Sequence, residues 1–135
     1  MKYTTPEVRV VPLDVELGTN FLYNTWPFAT PASKLYIKKI VERNESAGVI
    51  DTKSGQLLSA VALAGSGYMT MLFTLAPWRR CGYGRLCMDT QIHNLAAQGL
   101  FPCCTVQTNN EVSKAFQLSL GLKISHHVDF IFKKT

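Results

Sequence analysis

The sequence lacks the long apolar segments and leader patterns that direct a chain into or across a membrane. A membrane-spanning helix needs roughly 20 consecutive apolar residues, and Gly65, Ser66 and Gly67 interrupt the longest apolar run. Residues 1–7 contain neither the apolar core of a secretory signal nor the Arg-rich, acid-free pattern of a transit peptide. We therefore expect a cytoplasmic protein with no membrane partner.

The sequence also has few residues in metal-binding patterns. Its 135 residues include four cysteines and three histidines, without a C-x-x-C pair. Structural zinc sites use pairs of ligands separated by a few residues. Cys103 and Cys104 are adjacent, whereas Cys81 and Cys87 lie in one segment that is typical of a loop and a helix. This spacing predicts buried, reduced thiols and no bound metal.

Positive charge is in excess but is not concentrated in one basic stripe. The net charge is +5, and the small basic clusters are Arg79-Arg80 and Lys133-Lys134. Such clusters favour local binding of an anion over an extended nucleic-acid surface. With 47% hydrophobic and 17% charged residues, the composition predicts one globular domain over residues 1–135 and no nucleic-acid partner.

Periodicity predicts a mixed α/β order of elements. β-branched and apolar runs between turn residues are typical of strands. The predicted strands are residues 8–11, 47–51, 56–63, 68–75, 102–107 and 128–132. A tight turn at residues 52–55 joins the second and third of these into a hairpin.

Three helices are predicted by capping signals and by 3.6-residue periodicity, and a further helix between the turn at residues 12–14 and Thr30 stays open. The first has Thr30 as N-cap and Pro31 at its first position. The second ends at Gly99, and the third follows a T-x-x-E capping box at residues 108–111 and ends at Gly121. The apolar face of the second helix is predicted from Met88, Ile92, Leu95 and Ala96.

Residues 79–84 lie between a predicted strand and a predicted helix and have the sequence R-R-C-G-Y-G. The start of a helix presents backbone N–H groups and the positive end of the helix dipole, which together bind phosphate. Gly82 and Gly84 allow the backbone to approach a diphosphate, and Arg79, Arg80 and Arg85 can donate charge-assisted hydrogen bonds. The segment therefore predicts a diphosphate site.

Two common phosphate-binding motifs do not match this segment. The dinucleotide motif G-x-G-x-x-G requires a third glycine where Cys87 stands, and the P-loop requires a G-K-[ST] sequence that is absent. The remaining pattern, R-x-x-G-x-G, resembles the acyl-CoA diphosphate motif of the GNAT superfamily of acyltransferases. The alternative interpretation is a glycine-containing turn with solvated arginines.

The resemblance to this superfamily continues downstream of the loop. In the superfamily, an Asn at the start of the next helix is followed by a small residue and by a hydrophobic stretch. The matching residues are Asn110, Ser113, Phe116, Gly121 and Leu122.

More narrowly, residues 20–125 resemble the C-terminal domain of the glycine N-acyltransferase (FR47-like) family. The matching segments are residues 26–28, then Ser33 and Ile37, and residues 74–79. Members of that family carry a further N-terminal domain of comparable size, and the 135 residues are expected to hold the catalytic domain alone.

The resemblance implies a GNAT-like α/β fold. Its N-terminal strands would be mostly antiparallel, a parallel pair would flank the acyl-CoA cleft, and helices would cover both faces of the sheet. The implied co-substrate is acetyl-CoA or a longer acyl-CoA. The implied acyl-CoA-binding residues are Phe73, Thr74, Leu75, Arg79, Arg80, Cys81, Gly82, Tyr83, Gly84, Arg85, Asn110 and Ser113. The main chain of residues 73–75 would pair with the pantetheine arm, and Asn110 would either contact that arm or cap its helix.

The sequence departs from the family at the acid and base positions. Many members use a tyrosine as the acid seven residues after the Asn, and this chain has Gln117. The glycine-conjugating members have a carboxylate where this chain has Tyr68, and a phenol is a weak base at neutral pH. His126 is the other candidate, since imidazole titrates near neutral pH and only one of His126 and His127 can face a cleft from a strand.

These observations favour an N-acyltransferase that moves an acyl group directly from acyl-CoA to the primary amine of a small molecule. The alternative is an acyl-CoA-binding or interaction module without catalysis. The acyl chain, the acceptor, the general acid and base, and the formation of a homodimer stay open at this point.

Overall fold

The computed structural model describes residues 6–105 and 109–123. The chain divides into two compact units after Thr105. The elements of the first unit are β1 (Val8–Val11), α1 (Val15–Thr25), α2 (Ser33–Arg43), β2 (Ala47–Asp51), β3 (Leu57–Leu63), β4 (Met69–Thr74) and α3 (Tyr83–Ala97). The second unit contains α4 (Glu111–Ser119).

Strands β1 to β4 form an antiparallel sheet in the order β1-β2-β3-β4. The hairpin between β2 and β3 closes where Gly55, with φ of +76°, donates its N–H to the Asp51 carbonyl over 2.8 Å. Glycine adopts such a left-handed conformation without steric cost. The four strands predicted in this part of the chain are confirmed to within one residue at each end.

Helices cover both faces of the sheet. Strand β3 is buried along its whole length, and because its adjacent side chains point to opposite faces, both faces must be covered. Ala60 and Ala62 pack in one apolar cluster with residues of α1 and α2, among them Leu22 and Ile37. Ser59 points the other way and lies beside the Cys87 thiol of α3. The predicted mixed α/β fold with helices on both faces is confirmed.

The predicted start of α2 is wrong. The helix begins at Ser33, and its N-cap is Ala32, which makes no side-chain capping bond. Thr30 belongs instead to a preceding turn, in which its N–H donates to Ser33 Oγ over 3.0 Å. The hydroxyl that normally caps a helix is thus used by the turn, so the helix starts later than the Thr-Pro signal indicates.

The predicted end of α3 is confirmed. Gly99 has φ of +77°, and its N–H donates to the Ala96 carbonyl over 3.0 Å. The N–H of Leu100 donates to the Leu95 carbonyl over 3.0 Å. These two bonds form a Schellman motif, which satisfies carbonyls at the end of the helix.

The buried face of α3 differs from the predicted one. Met88 and Leu95 are buried as predicted, but Ala96 is exposed. Cys87 and Gln91 are buried in addition, because their polar groups bond to the backbone ahead of and within β2. Gln91 Nε2 donates to the Glu45 carbonyl over 2.8 Å, and Cys87 Sγ lies 3.9 Å from the Ala47 carbonyl.

The C-terminal predictions lie partly outside the described residues. The predicted parallel pair is represented by one parallel bridge between Met69 and Cys104. The strand predicted at residues 128–132 falls outside them, as does Thr108 of the capping box. The observed N-cap of α4 is Asn110. None of the helices in residues 6–105 and 109–123 combines the length and apolar character required to cross a membrane.

Candidate cofactor site

The loop between β4 and α3 contains two residues in the left-handed backbone region. A short 3-10 turn, Ala76–Trp78, follows β4, and Arg80 then has φ of +64°. Gly82, the N-cap of α3, has φ of +84°. A left-handed conformation costs a non-glycine residue about 1–2 kcal/mol, so Arg80 is strained where Gly82 is not. This backbone turns the loop outward from the end of β4.

The first amides of α3 point out of the helix and have no partner within residues 6–105. Leu86 makes the first backbone bond of this turn, from its N–H to the Gly82 carbonyl over 3.0 Å. The amides of Tyr83 and Gly84 precede it and have no carbonyl four residues back in the helix. Gly82 provides no side-chain cap, and neither amide donates to another group within residues 6–105. A Cβ added to Gly82 would have no neighbour within 4 Å, so the space beside these amides is open.

The side chains of the loop differ in their surroundings. Arg80 and Cys81 are exposed, and the Arg80 guanidinium makes no ion pair within residues 6–105. Arg85 is also exposed. Tyr83 is buried, and burial raises the pKa of its hydroxyl. The side chain of Tyr83 therefore anchors the helix start in the core, and its backbone amide faces outward.

Arg79 lies against the end of β4. Its Nε donates to the Thr74 carbonyl over 3.0 Å, and its guanidinium carbon lies 5.0 Å from the centre of the Phe73 ring. The sequence did not predict these contacts, because Arg79 was grouped with the other arginines as a diphosphate ligand. Arg80, in contrast to Arg79, is exposed and makes no ion pair within residues 6–105.

Strand β4 contains a bulge near its middle. The register with β3 moves by one residue between Ala60 and Ala62, which leaves one extra residue in β4. Met71 lies at this bulge with φ of +61°. Before the bulge, the Met69 N–H donates to the Cys103 carbonyl over 2.7 Å. This bond is part of the parallel bridge between Met69 and Cys104. Within residues 6–105, parallel pairing along β4 is confined to this point, and among these residues the edge of β4 after the bulge is therefore open.

Thr74 presents its backbone to this open edge. The Leu75 N–H donates to the Leu58 carbonyl over 2.9 Å, so Leu58 and Leu75 are a hydrogen-bonded pair. Antiparallel pairing alternates, so the N–H and carbonyl of Thr74, opposite Ser59, point away from β3. The N–H of Phe73 faces β3 by the same alternation. Of the three amides predicted to pair with a ligand, the one on the open edge is therefore that of Thr74.

Ser59 and Gly84 fix the Thr74 side chain. Ser59 Oγ lies 2.8 Å from Thr74 Oγ1 and donates to the Phe73 carbonyl over 3.1 Å. A Cβ on Gly84 would lie 3.3 Å from Thr74 Oγ1. Ser59 was not predicted as a site residue, although a single hydroxyl in the apolar run Leu57–Leu63 was an available signal.

Of the two candidate acid and base residues, the structure describes Tyr68. Tyr68 is half-buried in the turn before β4, at the opposite end of the strand from Thr74, and its carbonyl accepts from the Ala64 N–H over 2.8 Å. His126 lies outside the described residues. In the second unit, Asn110 Oδ1 accepts from the Ser113 N–H over 3.0 Å and thereby caps α4.

The cysteines are free, as predicted, but two of them are exposed. Cys87 is buried and Cys104 is half-buried, whereas Cys81 and Cys103 are exposed. The prediction of four buried thiols is wrong for the exposed pair, because the outward turn of the loop carries Cys81 with it. Across residues 6–105 and 109–123, no group of three or more His, Cys, Asp or Glu side chains is placed to hold a metal ion.

Comparisons with known proteins identify the fold. No protein-family model matches the chain, and no curated protein matches it. The structure of a Drosophila protein is 20% identical in sequence and has a TM-score of 0.76. The match covers 89% of this chain but only 40% of that protein. Aminoglycoside N-acetyltransferase AAC(6′)-Iy in complex with CoA is 13% identical, with a TM-score of 0.76 over 100% of both chains. AAC(6′)-Ih from Acinetobacter baumannii is 15% identical, with a TM-score of 0.71 over 96% of this chain and 99% of that one.

These likenesses extend over nearly the whole chain and are too low in identity to show more than its architecture. The chain has the GNAT acetyltransferase fold.

Proposed function

We propose that this protein is an acyl-CoA-dependent N-acyltransferase that transfers an acyl group to the primary amine of a small molecule. The observation that carries the proposal is the pair of amides of Tyr83 and Gly84 at the start of α3, which have no partner within residues 6–105. The exposed guanidinium of Arg80, which makes no ion pair in the same range, lies in the same loop. Outward amides at a helix start beside a cation are suited to a diphosphate group.

The shape of the loop supports a diphosphate ligand. Gly82 leaves open space next to the amides, and its left-handed backbone is what directs them outward. Any side chain at this position would be strained and would fill the approach. Cys81 and Arg85, both exposed, flank the same segment and complete the proposed contacts of the loop.

The open edge of β4 supports binding of the pantetheine arm. An extended ligand adds to an exposed strand edge through main-chain hydrogen bonds. The Thr74 N–H is the donor on that edge, and we propose that it bonds to the pantetheine arm close to the diphosphate.

In the proposed reaction the neutral amine attacks the thioester carbonyl carbon. A C–N bond forms, the C–S bond breaks, the amine loses one proton and the departing thiolate gains one. Tyr68 and His126 are the residues we propose for these proton transfers. Asn110 and Ser113 are proposed as further acyl-CoA contacts on the strength of the family resemblance alone.

The acceptor class is proposed from the structural neighbours. Several of them are aminoglycoside acetyltransferases, and aminoglycosides are small polar molecules that contain amines. The resemblance to glycine N-acyltransferases supports the same class of acceptor, with acetyl or a longer acyl group as donor. We propose a cytoplasmic location for this activity and leave the formation of a homodimer open.

A second candidate function is acyl-CoA binding without catalysis. Tyr68 stands where glycine-conjugating members have a carboxylate, and Gln117 stands where many members have a tyrosine. A protein with the binding loop but without an efficient acid or base would bind acyl-CoA and release no free thiol.

The binding site is tested by calorimetric titration of CoA into the parent protein and matched variants. Gly82 and Gly99 lie at opposite ends of α3, both have positive φ, and both have open space at the Cβ position. Gly82→Val and Gly99→Val therefore introduce similar strain, but only Gly82→Val should abolish CoA binding. Arg80→Ala should weaken binding roughly tenfold or more, as expected for loss of a charge-assisted contact. Equal binding by the parent and Gly82→Val would refute the site.

Turnover is tested with acetyl-CoA and longer acyl-CoAs against a panel of primary amines. Amine-dependent release of free thiol would support the transferase. Saturable binding without thiol release on any amine would support the binding module instead.

A further inference from the structure

Four aromatic residues lie within residues 21–28, at the end of α1 and in the segment that joins it to α2. Phe21, Tyr23 and Trp26 are half-buried and pack against the apolar cluster of α1, α2 and β3. Phe28 is 65% exposed, and its ring centroid lies 6.0 Å from that of Trp26, with an interplanar angle of 72°. These four residues form the aromatic surface. Accessible apolar patches of this kind are typical of ligand sites.

The aromatic surface adjoins the bulged part of β4. Met71, the residue at the bulge, packs against the same apolar cluster as Phe21, Tyr23 and Trp26. The Phe73 ring lies edge-to-face with the Phe21 ring, with centroids 6.4 Å apart and an interplanar angle of 70°. The end of α1 and the part of β4 from Met71 to Phe73 therefore share one side of the sheet.

The reactive end of a bound acyl-CoA would lie near this bulge. The proposed diphosphate site is beside Thr74, because a Cβ on Gly84 would lie 3.3 Å from Thr74 Oγ1. After Thr74 the chain leaves the sheet in the 3-10 turn Ala76–Trp78. Among residues 6–105, the open edge of β4 thus runs from Thr74 back to Met71. A pantetheine arm extended along that edge takes the thioester away from Thr74 and toward Met71, next to the aromatic surface.

The segments that form and border the aromatic surface contain no acidic residue. None of the nine acidic residues of the sequence lies in residues 17–41 or 52–88. The carboxylates of the two helices belong to Glu16, in the first turn of α1, and Glu42, in the last turn of α2. Both positions are at the helix ends remote from the segment that joins α1 to α2. These segments therefore offer no carboxylate to an ammonium group.

Two cations border the same surface. Lys34 Nζ lies 5.5 Å from the centre of the Tyr23 ring, and the Arg79 guanidinium carbon lies 5.0 Å from the centre of the Phe73 ring. Like charges brought together at a binding surface are unfavourable and exclude a ligand. An acceptor with several ammonium groups would be repelled here. An acceptor with a single amine reacts in its neutral form, and its apolar body gains from burial against aromatic rings.

We propose that the acceptor is an apolar monoamine, which carries one primary amine on an alkyl or aromatic body. The body packs on the aromatic surface, and the neutral amine reaches the thioester beside Met71. The nitrogen bonds to the carbonyl carbon, the C–S bond breaks, and the departing sulfur takes up the proton that the amine loses. This inference rests on the proposed acyl transfer and narrows its acceptor class. It predicts discrimination against aminoglycosides, although aminoglycoside acetyltransferases have the same fold.

The first test compares three acceptors with the parent protein, using a saturating acyl-CoA and release of free thiol as the readout. Hexylamine and ethylamine have amines of similar basicity and differ in the length of the apolar body, whereas neamine is an aminoglycoside with several amines. We expect kcat/KM for hexylamine to exceed that for ethylamine about tenfold or more, since a single methylene in an apolar site can contribute about tenfold. Neamine should be a poorer acceptor than hexylamine by a similar factor.

The aromatic surface is tested by Phe28→Ser, with Phe101→Ser as the matched control. Both rings are largely exposed, so neither change opens a cavity in the core. Phe101 follows α3 and is not part of the aromatic surface. We expect Phe28→Ser to lower the ratio of kcat/KM for hexylamine to that for ethylamine by about threefold or more. Phe101→Ser should keep the ratio of the parent. This ratio does not depend on the amount of active protein.

The charge beside the surface is tested by Lys34→Glu, with Lys39→Glu as the control. Both lysines are exposed on α2, and positions five apart on a helix point in different directions. A carboxylate beside Tyr23 should raise the ratio of kcat/KM for neamine to that for hexylamine by about threefold or more. The same change of charge at Lys39 should have a smaller effect.

Several results would overturn the inference while the proposed function stands. One is a parent protein that accepts neamine as well as hexylamine, or hexylamine no better than ethylamine. Others are an unchanged amine ratio in Phe28→Ser, and equal responses of Lys34→Glu and Lys39→Glu, either of which would place the acceptor elsewhere. Saturable binding of CoA without thiol release on any amine would refute the proposed transfer itself, and the acceptor class with it.

Discussion

Gly84 and Thr74 set the distance between the start of α3 and the end of β4. A Cβ on Gly84 would lie 3.3 Å from Thr74 Oγ1, which is closer than an ordinary van der Waals contact. Thr74 Oγ1 is itself 2.8 Å from Ser59 Oγ, so it has little freedom to move away. The second glycine of the loop motif therefore has a packing role in this protein, distinct from the conformational role of Gly82.

We expect Gly84→Ala to lower the free energy of unfolding by about 1 kcal/mol, because the added methyl overpacks the contact with Thr74. In a Thr74→Ala background the contact is absent, and the higher helix propensity of alanine should make the same change neutral or stabilising. Urea unfolding of the four proteins in this double-mutant cycle measures the coupling. An equal cost in both backgrounds would contradict the packing role.

Single residues of the loop were predictable from the sequence to different degrees. The spacing of Gly82 and Gly84 correctly predicted a turn between a strand and a helix, since few residues other than glycine adopt φ near +84°. The direction of the Arg79 side chain was not predictable, because it depends on the Phe73 ring and the Thr74 carbonyl. The bulge at Met71 has no signal in the local sequence.

At the scale of elements, the cap of α4 uses one of the two polar groups of the Asn110 side chain. Asn110 Oδ1 accepts from the Ser113 N–H, which satisfies one of the first amides of the helix. This cap uses the oxygen of the amide side chain, and the NH₂ group is a separate donor. The capping role and the proposed acyl-CoA contact of Asn110 therefore depend on different atoms.

Asn110→Asp and Asn110→Ser should keep the cap, so we expect the stability of both variants to stay within about 0.5 kcal/mol of the parent, whereas Asn110→Ala should cost about 1 kcal/mol. Both capping variants lack the NH₂ donor and should bind acyl-CoA more weakly. Thermal unfolding and calorimetric titration measure the two effects separately. Unchanged affinity in both capping variants would restrict Asn110 to the cap.

Element boundaries were predicted best where backbone geometry decides them. Gly99 ends α3 in a Schellman motif as predicted, since its left-handed conformation has a strong preference for glycine. The start of α2 was wrong because Thr30 and Ser33 bond to each other in a turn before the helix, so the Thr30 hydroxyl does not cap it. The buried face of α3 was partly wrong because Gln91 is accommodated in the core by a bond to the Glu45 carbonyl.

At the scale of the whole molecule, the core between α3 and the sheet contains an ionisable group. Burial raises the pKa of Cys87 from its ordinary 9.0 to about 11, with the Ser59 hydroxyl opposing part of that rise. The folded protein thus keeps this thiol protonated in a pH range where the unfolded chain ionises it. Stability from this group is complete below pH 9.0 and is lost as the pH rises toward about 11.

We expect the free energy of unfolding to fall between pH 9 and pH 11 by about 2–3 kcal/mol through Cys87. Cys87→Ala should be less stable at neutral pH because of the cavity, and its stability should fall less steeply over the same range. Urea unfolding at a series of pH values measures both slopes. Identical slopes for the two proteins would contradict the burial of this thiol.

The overall architecture was predictable because strand and helix periodicity is strong in residues 8–99. The glycine motif in addition marks the point where a strand is followed by a helix. The sequence alone did not predict the register shift in β4, which depends on pairing between distant segments. The resemblance in the loop motif supplied the fold class, and the structural neighbours confirm it.

The central claim is that a diphosphate binds the outward amides at the start of α3. Titration of ¹⁵N-labelled protein with CoA, followed by amide chemical shifts, tests it residue by residue. We predict the largest shifts at Tyr83 and Gly84, smaller ones at Thr74, and none at Gly99 at the far end of the helix. Saturable shifts elsewhere with the Tyr83 and Gly84 amides unmoved, or no shifts at all, would contradict the account.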